Sequence, residues 1–353
     1  MKRTLAIVFA LILVLALFAG CSTGSSESST APESTAPESS APESTEPTVD
    51  YSDYFKGENV TLIVPWSAGG GSDTGARKLI PYVEDILGCT ITVENLTGGS
   101  GWVGWEKLLT GDTDGKTWAM VNWPTLFPGY LNPDYNRNYN LDSFQLIANH
   151  VTDWSVIVIN KDETRFSTME ELVDYAKNNI TTFGTTGSGT DDHILMLKLN
   201  DVLGTQFEMV ASNGWSDNNA AIQGGHIDVT AANVGEVYSL VNDGTLKVLC
   251  VFSNDPVELI PDVPVFNSLG ITDTSITNSS QRGFAMKAGV DPGIVKVVQD
   301  AFDQAINNPS HIEEMYALGL AVDYMNAEDY RVHLVNDEKD ILGMADIFGW
   351  NIS

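Results

Sequence analysis

Basic residues are scarce in this chain. Eighteen Lys and Arg stand against 47 Asp and Glu in 353 residues, a formal net charge of −29. A surface of that sign repels phosphate backbones and anionic headgroups, which excludes nucleic acid as a partner. Cysteine is also rare, with Cys21, Cys89 and Cys250 alone. No Cys/His spacing of a metal site occurs, so no metal is expected. Cys89 and Cys250 lie in apolar segments and read as buried free thiols rather than a disulfide. Beyond the N-terminus no segment is a convincing membrane span. Three motifs are missing too. No Gly-Lys-Ser/Thr marks a phosphate loop, Thr74 stands where a dinucleotide fingerprint after Gly69-Gly70-Gly71 needs glycine, and Thr186 and Thr190 occupy the glycine positions of a nucleophile elbow around Ser188. No cofactor and no catalytic residue is therefore expected.

What is present begins with a positive start, Lys2 and Arg3, and an apolar run over residues 5–18 that ends at Ala19-Gly20-Cys21. Such a run is a secretory signal, and the small residues before Cys21 resemble a bacterial lipobox. Residues 1–21 are thus expected to be a lipoprotein signal with lipidated Cys21. The lipid would hold the exported chain to the bilayer, on the outer face of the cytoplasmic membrane. Residues 22–55 contain three pentapeptide repeats, Ala31-Pro32-Glu33-Ser34-Thr35, Ala36-Pro37-Glu38-Ser39-Ser40 and Ala41-Pro42-Glu43-Ser44-Thr45. Pro, Glu, Ser and Thr cannot bury a core, so this stretch is expected to be a disordered tether, about 30 Å across as a coil.

From residue 59 onward short apolar strands alternate with amphipathic helices. Strands are expected at 60–64, 90–94 and 117–121, with helices at 74–87 and 102–109 between them. The same grammar restarts with a strand at 155–159, a helix capped by Ser167 with Glu170, a strand at 181–183 and a helix at 192–203. Strands 207–210, 227–231 and 246–252 and helix 218–223 follow. Asp291 caps a helix that Pro292 starts, and a last helix begins after Asn326. Alternation of this kind predicts an α/β fold with parallel pairing. Two such units predict two lobes, residues 56–160 with 276–353 and residues 161–275, and a ligand cleft between them.

Two loops share one design. Residues 65–73 (Pro-Trp-Ser-Ala-Gly-Gly-Gly-Ser-Asp) and residues 184–193 each join a strand to a helix. Glycines let backbone N–H groups approach a ligand, and the helix behind adds partial positive charge. Two such loops face to face would hold an anion without Lys or Arg. The alternative is a tight turn and nothing more. Asp73 either accepts from a ligand ammonium or caps its own helix; His193 either meets the ligand or packs in the core. Asp191 and Asp192 crowd the second loop with negative charge and would weaken binding of a multiply charged anion.

Residues 65–73, with Ala76-Arg77 after them, resemble the first binding loop of the Bug family, the solute receptors of tripartite tricarboxylate transporters. Further matches run in the family's order: Val93-Glu94-Asn95 with Gly98 to Gly101, Asp114-Gly115-Lys116-Thr117, Gly184 to Gly189 with His193, Gly224-Gly225-His226-Ile227-Asp228, Gly244-Thr245-Leu246-Lys247, and Pro261-Asp262-Val263-Pro264 with Gly270. The resemblance covers about residues 58–319. It implies a two-lobed, periplasmic-binding-protein-like (type II) fold that closes on a small organic carboxylate, a monomer, and a two-subunit integral membrane permease as partner. It implies that Ser67, Ala68, Gly69 and Gly70 hold the carboxylate from one lobe and Thr185, Thr186, Gly187 and Ser188 from the other, with Asn122 and Trp123 as further candidates. Where the family has Val-Pro-Tyr, this chain reads Val210-Ala211-Ser212-Asn213-Gly214-Trp215, so Asn213, Gly214 and Trp215, with Trp66, become candidates of its own. The Trp-x-Gly of the family reads Gln281-Arg282-Gly283. A receptor for an ABC-type importer or a sensor kinase is the alternative function, and a secreted hydrolase the remaining one.

Overall fold

The computed structural model describes residues 49–350. The signal, Cys21 and most of the expected tether lie outside the described residues. The tether's last part does not stay free. Phe55 is 1% exposed and joins the core, with Tyr51 and Tyr54 packed against the same cluster. Three aromatics in five residues outweigh the polar neighbours that made this stretch look disordered.

Along the chain run β1 (Asn59–Val64), α1 (Gly71–Leu87), β2 (Thr90–Asn95), α2 (Trp102–Thr110), β3 (Thr117–Trp123) and α3 (Leu126–Leu131). A long β4 (Phe144–Asn160) leads to α4 (Met169–Asn178), β5 (Thr181–Thr185), α5 (Asp191–Leu203), β6 (Phe207–Ala211), α6 (Trp215–Gln223), β7 (Val229–Asn233), α7 (Val234–Asn242) and β8 (Leu246–Val251). Then come β9 (Ser279–Lys287), α8 (Pro292–Ile306), α9 (Pro309–Ala317), β10 (Val322–Asn326), α10 (Ala327–Gly343) and α11 (Ala345–Phe348).

The strands form one sheet in the order β2-β1-β3-β9-β4-β7-β5-β6, with β8 and β10 also pairing to β4. Pairing is parallel where helices connect successive strands, in β2-β1-β3 and in β6-β5-β7. It is antiparallel wherever β4 or β9 takes part. The sheet is therefore mixed, not parallel throughout. Its halves meet inside β4. Residues Phe144 to Trp154 pair with β9, and Ser155 to Asn160 pair with β7 and β8. The return passage lies alongside: Ser155 N–H donates to Asn278 O at 2.9 Å, and Ser279 faces Trp154.

Helices cover both faces of each half. The apolar stripe of α1 (Ala76, Leu79, Ile80, Val83, Leu87) packs with Val295, Val298 and Phe302 of α8 over β1 and β3. On the opposite face Trp102 and Trp105 of α2 lie with Trp123 and Phe127. In the second half Leu195 and Leu199 of α5 join Leu172 of α4, while Ile222 of α6 joins Val237 of α7 on the other face. Each such buried side chain contributes about 1.5–3 kcal/mol. α1 stops at Gly88, whose φ of +64° favours glycine and whose N–H donates to Glu84 O. Asp291 accepts from Gly293 N–H at the start of α8, with Pro292 at its first position. For α4 the cap is Thr168, one residue later than expected, and Glu171 reaches back to accept from Ser167 N–H and Oγ. Cys89 and Cys250 are buried and free.

Candidate functional site

Past the end of β1 the chain turns through residues 65–70 into α1. Trp66 Nε1 donates to Asn122 Oδ1 at 2.7 Å, and Asn122 Nδ2 donates to Ser72 Oγ at 3.1 Å, which ties this turn to the end of β3. Asp73, 3% exposed, accepts from Gly69 N–H and Arg77 Nε at 2.9 Å and from Asn95 Nδ2 at 3.0 Å. Burial alone would raise its pKa, but these donors hold it below the usual carboxylate value. Asp73 is thus a brace for the loop. It does not occupy the cap position of α1, which is Gly70, and the Gly69 amide is turned inward to it rather than offered to a ligand.

The second glycine turn follows β5. Thr186 N–H and Oγ1 donate to Asp192 Oδ2 at 3.1 and 2.9 Å. Thr190 caps α5 by accepting from His193 N–H. His193 Nδ1 accepts from Gly189 N–H at 3.0 Å, and burial lowers its pKa to about 4, so the ring is neutral and serves as a second brace. Gly187 has a φ of +126°, and a β-carbon there would lie 2.5 Å from Ser100 Oγ.

The two glycine turns border one cavity from opposite sides, but each makes its tightest contact with a different turn. The first meets the start of α6. A β-carbon on Gly214 would lie 2.3 Å from Ser67 Oγ, and Ser216 Oγ donates to Ala68 O at 3.1 Å. The second meets the turn of residues 98–101. The reason is local: Gly214 and Gly187 carry no side chain, and a serine from the facing turn fills each notch.

Four helices, α1, α5, α6 and α7, begin around one small cavity of about 30 Å³. Of the expected site residues, Trp66, Ser67, Gly70 and Asn122 line it from one side and Thr186, Gly214 and Trp215 from the other. Ala68, Gly69, Ser188 and Asn213 are exposed outside it. Asp73, Thr185, Gly187 and His193 belong to the walls behind. Trp123 is fully buried, 4.5 Å from Phe127 between ring centroids, and packs the core instead.

The cavity also holds residues that sequence reasoning missed. Arg282 of β9 is 2% exposed. Its Nη1 lies 2.8 Å from Asp153 Oδ2 and its Nη2 donates to Asn233 Oδ1 at 3.0 Å, while Nε finds no acceptor among the described residues. Glu236, in the first turn of α7, accepts from Asn233 N–H at 3.1 Å and stands 3.8 Å from Arg282 Nη2. Asp191 and Asp192 complete the charged wall. Burial raises the Glu236 pKa to about 7, against the pull of Arg282 and with Asp153 and Asp191 adding to the rise. Asp192 is raised well above its usual value by burial, then by Asp191 and Glu236. Arg282 stays charged because the carboxylates around it outweigh its burial. One signal was available: in a chain so short of cations, an arginine followed by Gly-Phe-Ala-Met needs a buried partner.

Helix N-termini supply N–H donors and partial positive charge, so this arrangement can fix an anionic group without chemistry. Among the described residues no cluster of three metal-ligating side chains occurs.

Residues 76–344 match the model of the tripartite tricarboxylate transporter family receptor. A Cupriavidus necator protein, described as the UPF0065 protein in the gbd 5′ region, is 30% identical over 310 residues, covering 85% of this chain and 92% of that one. The periplasmic binding protein BugD superposes with a TM-score of 0.76 at 21% identity, covering 83% of this chain and 98% of that one. MatC from Rhodopseudomonas palustris, solved with bound malate, superposes with a TM-score of 0.73 at 20% identity over 82% of this chain and 99% of that one. The fold is that of periplasmic binding proteins, two α/β lobes with a cleft between them.

Proposed function

The chain belongs to the tripartite tricarboxylate transporter receptor family, and from that premise we propose that it captures a small organic carboxylate in this cleft outside the cell and hands it to a two-subunit membrane permease. The observation that carries the reading is the pair of unsatisfied donors at the convergence of four helix N-termini. Ser67 Oγ and Arg282 Nε are both buried, and neither finds an acceptor among the described residues. A carboxylate satisfies both and adds favourable charge at the helix ends. The protein works as a monomer that binds and releases without turnover. The expected lobes, residues 56–160 with 276–353 and residues 161–275, act as the two jaws, with the crossings moved to Trp154–Ser155 and Asn278–Ser279, where β4 changes partners. The 30 Å³ cavity holds a water or two, so a ligand enters only when the lobes part. Cys21, once lipidated, keeps the chain at the outer face of the cytoplasmic membrane.

A thermal-shift and calorimetry screen against mono-, di- and tricarboxylates, with sugars and simple amines alongside, tests the capture step. Binding confined to acids is expected; a sugar or an amine without a carboxyl group as the sole binder overturns it. Replacing Cys21 by Ser should release the protein from the cell envelope, and retention of that variant would remove the anchor from the reading.

A further inference from the structure

The charge around the cavity does not suit a polyanion. Asp191, Asp192 and Glu236 line it and Asp153 stands behind, against Arg282 alone. Each of the four helix N-termini is equivalent to roughly half a positive charge. Together with Arg282 they fall about one charge short of the four carboxylates were all of them ionised, and burial with mutual repulsion relieves that excess by raising the Asp192 and Glu236 pKa values. A dicarboxylate would bring two more negative charges into a buried space.

The hydrogen bonds say where the surplus points. Asp192 Oδ2 takes both donors of Thr186, and Oδ1 accepts from none of the described residues. Glu236 Oε2 takes Asn233 N–H, and Oε1 has only Arg282 at 3.8 Å. Two carboxyl oxygens thus lack a donor, in the same cavity where Ser67 Oγ and Nε of the 2%-exposed Arg282 lack an acceptor among the described residues. Helix capping explains the oxygens that are used. It leaves the two others, and the guanidinium Nε, without a partner.

We propose that the solute carries an ammonium group as well as a carboxylate, an amino acid or a similar zwitterion, with the ammonium held by Asp192 and Glu236 and the carboxylate by Ser67 and Arg282. The proposal rests on the cleft being a carboxylate site and specifies what else the ligand must bear. It also gives Asp192 a role beyond the first turn of α5. A zwitterion adds no net charge to the cavity and pairs every unmatched atom with its complement.

The test is calorimetry on the full chain with ligand pairs that differ only in the amino group: aspartate and succinate, glutamate and glutarate, leucine and 4-methylpentanoate, alanine and propionate. In at least one pair the amino acid should bind about tenfold tighter or more, the scale of one charge-assisted hydrogen bond. Asp192→Asn should collapse that ratio by a similar factor, and Glu236→Gln should do the same if the first variant fails to fold. Equal or tighter binding of the desamino acids overturns the proposal and leaves the carboxylate reading standing. A persistent amino-acid preference in both folded variants overturns the assignment of the ammonium. No binding by any member of the pairs overturns the proposal together with the reading beneath it.

Discussion

Ser67 and Gly214 close on each other across the cleft: a β-carbon at Gly214 would stand 2.3 Å from the Ser67 hydroxyl and 3.2 Å from the Ser67 amide nitrogen. The contact joins the turn before α1 to the start of α6, so it exists only while the two halves are together. A side chain at position 214 should therefore act as a wedge. Gly214→Leu is expected to cost about 1–3 kcal/mol of stability, to lower ligand affinity about tenfold or more, and to enlarge the radius of gyration in small-angle scattering with ligand present. With Ser67→Ala added to Gly214→Ala, the nearest atom is gone and scattering should report a return to the compact form.

Gly187 poses a different problem, because its φ of +126° is itself hostile to a side chain. Gly187→Ala should cost about 1–3 kcal/mol of stability from backbone strain, with further loss from Ser100 Oγ at 2.5 Å. Adding Ser100→Ala should recover only the steric share in a denaturant melt. Full recovery would mean that the backbone conformation carries no penalty.

Arg282 is enclosed by Asp153, Glu236 and Asp191. Removing its charge leaves buried carboxylates uncompensated, so Arg282→Met is expected to destabilise the fold by about 3–5 kcal/mol. The companion Asp153→Asn should cost less, because Glu236 and Asp191 remain near the guanidinium. Chemical denaturation of both variants at neutral pH checks the order.

Glu236 supplies a pH dependence of known sign. Its folded pKa of about 7 lies above the ordinary 4.5. The folded state therefore holds a proton that the unfolded state has lost, and this favourable contribution disappears as pH rises from about 4.5 to about 7. Glu236→Gln removes the term. Relative to the parent, the variant should gain stability across that window, by up to about 3 kcal/mol at its upper end. Melting curves at pH 5 and pH 8 decide it: a difference that stays constant or shrinks contradicts the assignment.

Much of the molecule was legible because local rules wrote it. The stripe Ala76, Leu79, Ile80, Val83 and Leu87 faces the core as a helical period requires, and Asp291-Pro292 starts α8 as a cap and first-turn proline do. What could not be read depends on partners far away in sequence. The first part of β4 includes Asn149, His150 and Asp153, polar residues that break an apolar pattern. Each is buried through groups distant in sequence: Asn149 Nδ2 donates to Asp323 O, His150 Nε2 lies 2.8 Å from His311 Nε2, and Asp153 pairs with Arg282 and accepts from Gly235 N–H. Strand β9, with Arg282 in its middle, escaped for the same reason. The site was half visible. Its glycine turns announced themselves by composition, but which turn meets which is decided by strand order. Of the charged wall, Asp191 and Asp192 were legible as negative charge at the second loop, whereas Arg282 and Glu236 came from β9 and α7, elements the pattern had not revealed.

The shared strand has a mechanical meaning. The chain passes between the halves at Trp154–Ser155 and again at Asn278–Ser279, and a hydrogen bond from Ser155 to Asn278 fastens the two passages side by side. Two strands laced together like this resemble the spine of a book. In the opening proposed above, such lacing would bend along one line and resist shear or swivel, since either would tear it. Opening would then be an arc with a single coordinate, and one pair of distance probes, placed on the outer edges of the covers, would be enough to follow the whole stroke.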